Sequence, residues 1–274
     1  ARVGIYYYEN GAYPRKPKVI YDRANSSFYS LKIDEIPEKA YTASRCFHTS
    51  GITLALSPKV RETTIEMIKR FKAAGTLVSF DVNFRGNLWT GEEAKECIEQ
   101  ILPYVDIFFC SEDTARLTFK KTGTAREMMK SFTEEYPISI VASTQRIVHS
   151  PKSHTFGSII YDARKDIYYE EEPYRDIDVV DRIGSGDAYI SGALYGLLTS
   201  NFDCEKAVRY GNATSAVKNT IPGDLPSSDL EEIETIIKAH NHIGQDNGSN
   251  GAAQCLAALN FFFAIVLARY KSHT

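Results

Sequence analysis

The chain has 274 residues, 43% hydrophobic, 24% charged and 12% aromatic, which supplies one large core and is unlike a disordered or collagen-like chain. Lys and Arg number 32 against 35 Asp and Glu, a net charge of -3 with no basic stripe for nucleic acid, so a small-molecule partner is expected. The cysteines Cys46, Cys97, Cys110, Cys204 and Cys255 are odd in number and far apart. They argue against a disulfide framework or a C-x-x-C metal site and for reduced, mostly buried thiols of a cytosolic protein.

Taken in chain order, Ala1 to Ile5 begins as a strand and lacks the pattern of a signal peptide. Arg2 to Tyr8 and Lys18 to Tyr21 are β-rich runs joined through Asn10-Gly11 and Pro14, which predicts a hairpin-like flap. From about Lys32, helices alternate with short apolar strands, the βαβ signature of a mainly parallel sheet covered on both faces. Ser57 as cap, Pro58 at the first helical position and Gly75 after the last turn predict a helix over Ser57 to Ala74, with Thr64, Met67, Ile68 and Phe71 on its inner face. The strand Leu77 to Phe80 follows and ends in Asp81-Val82-Asn83-Phe84-Arg85, at the kind of carboxyl edge where open α/β sheets bind ligands. Further strands are expected at Val105 to Cys110, Ile138 to Ala142, Ser158 to Tyr161 and Ile167 to Glu170. Further helices are expected near Glu92 to Ile101, Arg126 to Glu134, Cys204 to Asn219 and Asp229 to His240. Gly244 to Gly251 reads as a flexible linker, and the apolar Cys255 to Tyr270 is compatible with a helix. The longest apolar run, Leu256 to Ala268, is short of the ~20 residues a bilayer demands, so no membrane span is expected.

The segment richest in chemistry is Asp181-Arg182-Ile183-Gly184-Ser185-Gly186-Asp187, which opens a helix with Ile190, Ala193, Leu194 and Leu197 on one face. Two glycines let the backbone turn tightly, and the unpaired first amides and positive dipole end of the helix make an anion site. Asp187 in the first turn suits a base that takes a proton from a hydroxyl attacking phosphorus; it equally suits a helix cap, and on spacing alone the two readings stand level. A lone G-x-G is no dinucleotide fingerprint, and G-x-x-x-x-G-K-[ST] does not occur. The histidines His48, His149, His154, His240, His242 and His273 show no metal-ligand spacing.

Val179 to Gly196 (VVDRIGSGDAYISGALYG) closely resembles the C-terminal signature of the ribokinase-like (PfkB) sugar kinases. Asp81 to Trp89 (DVNFRGNLW) resembles the strand-end motif of the 2-keto-3-deoxygluconate kinase branch, Val3 to Ser27 its lid, and His48-Thr49-Ser50-Gly51-Ile52 the strand that follows. The resemblance covers about residues 1 to 240 and implies a three-layer α/β fold with a β lid over 1–31, a kinase core over 32–240 and an unassigned tail over 241–274. Family members carry further strand and helix units with a glycine-rich sugar-binding segment ahead of the matching point, so the chain is expected to lack the amino-terminal part.

The resemblance implies an ATP-dependent kinase that phosphorylates 2-keto-3-deoxy-D-gluconate in the cytoplasm, with a fructokinase-like enzyme or a catalytically silent subunit as alternatives. Asp187 is then the base, and the amides of Gly184, Ser185 and Gly186 stabilise the transferring phosphoryl group. Mg²⁺ bridges the nucleotide phosphates. Arg85 serves substrate and phosphate, while Tyr6, Tyr21 and Arg23 contact the acid sugar, whose carboxylate gives Arg23 a chemical purpose. Tyr6 and Tyr21 also fit a plain strand face. Asp224, in Ile221-Pro222-Gly223-Asp224, is a substrate contact or ordinary turn chemistry, evenly weighed. Ser111, Thr144, Gly157 and Asn212 fall where the family lines its nucleotide cleft, although such residues often serve as local caps. The stretch matching the family's Asn-x-x-Glu metal motif reads Ser111-Glu112-Asp113-Thr114. A homodimer packing lid on lid fits a two-stranded flap that is marginal alone.

Overall fold

The cap at Ser57 works as its residue type dictates: its hydroxyl accepts the Val60 amide at 3.2 Å and starts a helix over Pro58–Ala73, closed by Gly75 at φ +79°. Thr64, Met67, Ile68 and Phe71 are all buried along its inner face. The computed structural model describes residues 2–9, 11, 14–243, 265 and 266, with only the backbone of the last two and of residues 242 and 243. The chain divides into two compact units, one running to Val141 and taking in Ile265–Val266, the other beginning at Ala142.

In the first unit β1 (Ile5–Glu9) and β2 (Lys18–Asp22) form a separate antiparallel ribbon with Ile5 opposite Asp22 and Glu9 opposite Lys18. The first strand starts three residues later than expected, because Arg2 turns aside to hold the Asp22 carboxylate at 2.8 Å and the Ala24 carbonyl at 2.6 Å. Then come α1 (Glu38–Ala43), β3 (Cys46–Ser50), α2 (Gly51–Leu56), α3 (Pro58–Ala73), β4 (Leu77–Asp81), α4 (Gly91–Glu99), β5 (Ile107–Phe109), α5 (Glu112–Leu117) and α6 (Ala125–Glu135). Strands β3, β4 and β5 are parallel and adjacent, with Cys46 opposite Leu77 and Ser79 opposite Ile107. Their apolar residues meet the helices in an aromatic core where Phe71 lies 4.3 Å from Phe47 and 4.7 Å from Tyr41, ring to ring. The short helices α1, α2 and α5 escape the periodicity, since six residues do not complete two turns of pattern.

In the second unit β6 (Ile140–Ser150), which starts in the first, is followed by β7 (Ser153–Asp162), β8 (Ile167–Glu170) and β9 (Tyr174–Asp178). Strand β6 neighbours β7, and β7 pairs antiparallel with both β8 and β9. The parallel expectation therefore holds in the first unit, while short turns make the second antiparallel. Strands β6 and β7 outrun the apolar segments predicted at Ile138 to Ala142 and Ser158 to Tyr161; β6 is buried only over its first four residues, so its polar outer half shows no hydrophobic signal. Strand β9 was not expected, because Arg175, Asp176 and Asp178 leave Ile177 as its single buried residue.

Helices α7 (Ser185–Thr199), α8 (Cys204–Asn219) and α9 (Leu230–Ile243) complete this unit. Ala213 and Val217 of α8 share a core with Ile233 and Ile237 of α9. In the first unit β10 (Ile265–Val266) pairs antiparallel with β3, so these two residues of the segment compatible with a helix are strand. The rest of that segment and the linker Gly244 to Gly251 lie outside the described residues, as does Cys255. Cys46, Cys97, Cys110 and Cys204 are free and buried, as expected, and burial pushes the Cys46 thiol up to about 12. Among the described residues no helix is long and apolar enough to cross a membrane.

His48 on β3 sits opposite Ser79 on β4, with Nδ1 2.9 Å from the serine Oγ. Burial lowers its pKa from 6.5 to about 4. The folded value is depressed, so the stability contributed by the neutral ring is complete above 6.5 and is lost as pH falls toward 4. Thermal melts between pH 6.5 and 4 should show a falling midpoint in the native chain and a flatter profile in His48→Asn; superimposable profiles would refute the assignment.

Candidate active site

Gly184 is the N-cap of α7 and stands at φ +75°. A Cβ there would also lie 2.1 Å from the Asp224 carbonyl oxygen, so both conformation and space require glycine. The first helical bond runs from the Ala188 amide to the Gly184 carbonyl at 2.8 Å. The amides of Ser185, Gly186 and Asp187 thus precede the intrahelical ladder, at the positive end of the helix. The Ser185 amide donates instead to the Arg182 carbonyl at 3.2 Å, which engages one of the three amides that the resemblance turns toward a phosphoryl group. Gly186 and Asp187 are exposed, and a Cβ at Gly186 would meet nothing within 4 Å.

The loop ahead of Gly184 is tied to the end of α8. The amides of Val180 and Asp181 donate to the Asn219 carbonyl at 2.8 and 3.1 Å. The Asp181 carboxylate accepts the Ile183 amide at 3.0 Å and the Gly223 amide at 3.1 Å. The Ser215 hydroxyl donates to the Ser185 carbonyl at 3.0 Å, and the Lys218 ammonium to the carbonyls of Asp181 and Ile221. Sequence reasoning passed over Asp181 as a bridging acid, although an Asp two residues before an amide it can bind is the signature of an Asx turn. It passed over Arg146 as well. Burial and the charge of Arg182 lower the Arg146 pKa, and burial followed by Arg146, Arg182 and His149 lowers that of His154, so positive charge gathers around the loop.

Within the first unit four of the expected sugar contacts come together. Tyr6 and Tyr21 face each other across the ribbon with ring centroids 6.2 Å apart, and the Arg23 guanidinium lies 4.0 Å over the Tyr21 ring. Arg23 is half-buried, and burial first, then the charge of Arg85, lowers its pKa. Among the described residues the other groups acting on it are Tyr21 and Tyr29, neither of them an acid at neutral pH. Arg85 follows β4, and among the described residues its own guanidinium donates to the Phe84 carbonyl, at 3.2 Å. The turn from β3 into α2 presses on the same strand end: a Cβ on Gly51 would lie 2.1 Å from the Val82 carbonyl oxygen. The Arg23 and Arg85 guanidinium groups are near enough for their charges to oppose one another, and a planar guanidinium is suited to bind an oxyanion.

The nucleotide candidates stand on separate elements, Ser111 in the first unit and the others in the second. Ser111 caps α5 by accepting the Thr114 amide at 3.3 Å, and Glu112 pairs with Arg116 at 2.7 Å. Thr144 is the half-buried residue where β6 leaves the core. Gly157 on β7 is buried, and a Cβ there would lie 3.2 Å from Pro173 Cβ. Asn212 is fully buried: Oδ1 accepts the Ser158 hydroxyl at 2.7 Å and Nδ2 donates to Glu171 at 2.9 Å. Burial holds the Glu171 carboxyl above its ordinary range. Glu171 borders a cleft of about 760 Å³ with Tyr174 stacked on His240, a space that includes none of the residues of the α7 turn. Among the described residues no three potential metal ligands are gathered.

The model of the pfkB family carbohydrate kinases matches residues 2–230. The chain belongs to that family. This pfkB-family chain is 34% identical over 238 residues to a 2-dehydro-3-deoxygalactonokinase of Haloferax volcanii, covering 87% of this chain and 71% of that protein. The crystal structure of a 2-dehydro-3-deoxygluconokinase from Thermotoga maritima matches with a TM-score of 0.80 at 30% identity, over 87% of this chain and 73% of that one. A putative ribokinase II from E. coli, in complex with ATP and Mg²⁺, matches with a TM-score of 0.67 at 25% identity, over 82% and 68% of the two chains. The fold is accordingly the three-layer α/β fold of the ribokinase-like carbohydrate kinases, with a mixed sheet and flanking helices.

The two glycines of the α7 turn are separable by experiment. Gly184→Ala should lower the melting midpoint markedly, since it adds left-handed strain and a main-chain clash, whereas Gly186→Ala should leave it level or raise it slightly. Equal losses in the two variants would contradict this account of the turn.

Proposed function

We propose that the chain transfers the γ-phosphoryl group of ATP to the terminal hydroxyl of 2-keto-3-deoxy-D-gluconate. In this reading the Asp187 carboxylate accepts the proton of the sugar's primary hydroxyl as that oxygen bonds to phosphorus, and the bond to ADP breaks. The exposure of Asp187 beside the open Gly186 supports this role over a cap alone. The amides at the head of α7, with Gly184 and Ser185 shaping the turn, stabilise charge on the phosphoryl oxygens because they are fixed before the reaction begins. Asp224 orients the sugar beside Gly184. Glu112 or Asp113 would help hold Mg²⁺, which would supply charge neutralisation for the nucleotide phosphates. Thr144 and Gly157 line the nucleotide subsite, Ser111 shapes its entry, and Asn212 acts by positioning Ser158 and Glu171.

The observation that carries the choice of substrate is the pairing of Arg23 with Arg85. A neutral sugar leaves that pair uncompensated, whereas a sugar acid brings the carboxylate it lacks, with the Tyr6 and Tyr21 hydroxyls beside it. The Haloferax relative favours the galactonate epimer as a second reading, since both epimers share the carboxylate and the primary hydroxyl. The exposed Ile5, Tyr7 and Ile20 of the ribbon support a homodimer formed through this face.

Purified protein with Mg-ATP and either keto acid should release ADP. Asp187→Asn should lower turnover by about 10²- to 10⁴-fold with nucleotide binding retained. Arg23→Ala should raise KM for the acid on the order of 10- to 100-fold while sparing fructose; equal effects on both sugars would reassign the substrate class. ATP binding without turnover of any sugar points to a silent subunit.

A further inference from the structure

Lys218 lies in the last turn of α8 with no exposed surface, an expensive place for an ammonium unless oxygens replace its water. Its Nζ donates to the Asp181 carbonyl at 3.1 Å and to the Ile221 carbonyl at 2.9 Å. Burial pulls its pKa down, and the carboxylates of Asp181 and Asp224 pull it back up. The two carbonyls belong to different segments. One leads into Gly184, and the other opens the turn whose Asp224 carbonyl packs on Gly184. A dehydrated monovalent cation held by main-chain carbonyl oxygens is the chemistry by which proteins hold potassium, an ion close to ammonium in size and equal in charge.

We infer that Lys218 is a positioning residue whose tethered ammonium takes the place of a dissolved monovalent cation, clamping the Asp181 and Ile221 segments so that the α7 turn keeps its shape. The bearing on catalysis rests on the phosphoryl-transfer reading above; the clamp itself does not. It follows that the native chain needs no potassium to assemble this turn. Removing the side chain would leave a small cage, bordered by the Asp181 and Ile221 carbonyls, that a free cation can enter.

The test compares the native chain, Lys218→Ala and Lys218→Met, with tetramethylammonium, too large for the cage, as the only monovalent cation, and then with added potassium or ammonium chloride. Two readouts are taken: the melting midpoint, which needs no substrate, and kcat and KM with Mg-ATP and the keto acid. The native chain should be indifferent to potassium in both. Lys218→Ala should lose kcat on the order of 100-fold with little change in KM for the sugar, the scale expected when reacting groups are slightly misplaced. Potassium or ammonium should restore much of that kcat and raise its midpoint, while Lys218→Met, whose apolar stem fills the cage, should remain impaired and unresponsive.

A native chain activated by potassium overturns the inference. So does a Lys218→Ala variant that keeps its kcat, or one whose midpoint and kcat ignore both small cations. If Lys218→Ala does not fold, a folded Lys218→Met with native kcat overturns it, and the native potassium titration decides if neither variant folds. If no sugar is turned over, the proposed reaction fails, yet the melting comparison still decides the clamp.

Discussion

Main-chain carbonyls at the end of α8 hold the loop that delivers Gly184, and the shape of the turn into α7 depends on that hold. The Asn219 carbonyl takes the amides of Val180 and Asp181, the Asp181 carboxylate takes those of Ile183 and Gly223, and Ser215 secures Ser185. Together they keep Gly184 in a left-handed conformation against the Asp224 backbone, and so set the direction in which the first amides of α7 point. A helix terminus binds anions only where its approach leaves those amides uncovered, and here the approach is fixed from the side.

On the proposed reading the two units would meet negative charge by different means. In the second, neutral amides would act, suited to a group whose charge changes during reaction and that must afterwards leave. In the first, the full charges of Arg23 and Arg85 are brought together, with burial and mutual repulsion both opposing the charged state of Arg23. A carboxylate placed beside two such charges would relieve that repulsion, so on the proposed reading the repulsion would contribute to selectivity for an acid.

Much of this was legible from residue order. Ser57, Pro58 and Gly75 bound α3 because capping and left-handed closure are local effects, and the glycines of the 181–187 segment announce a tight turn into a helix for the same reason. The outer half of β6 and the whole of β9 were hidden, since strands that bury little carry no periodic signal. Lys218 was hidden differently. In sequence it is one more lysine near a helix end, where cations are ordinary; only the return of the chain at Asp181 and Ile221 turns it inward. The proximity of Arg23 to Arg85 likewise needs the fold, because 62 positions separate them (85 - 23).

The ribbon of β1 and β2 has its own hydrogen-bonded register and is fastened at its base by Arg2 to Asp22 and Ala24. It carries both tyrosines and, just beyond Asp22, the arginine that would read the sugar's charge, on a stretch of chain continuous in sequence. On the proposed reading, the contacts to the sugar's carboxylate other than Arg85 are therefore housed in a cassette. If so, a lineage could exchange this one segment and acquire a taste for a different sugar while inheriting the 181–187 turn unaltered.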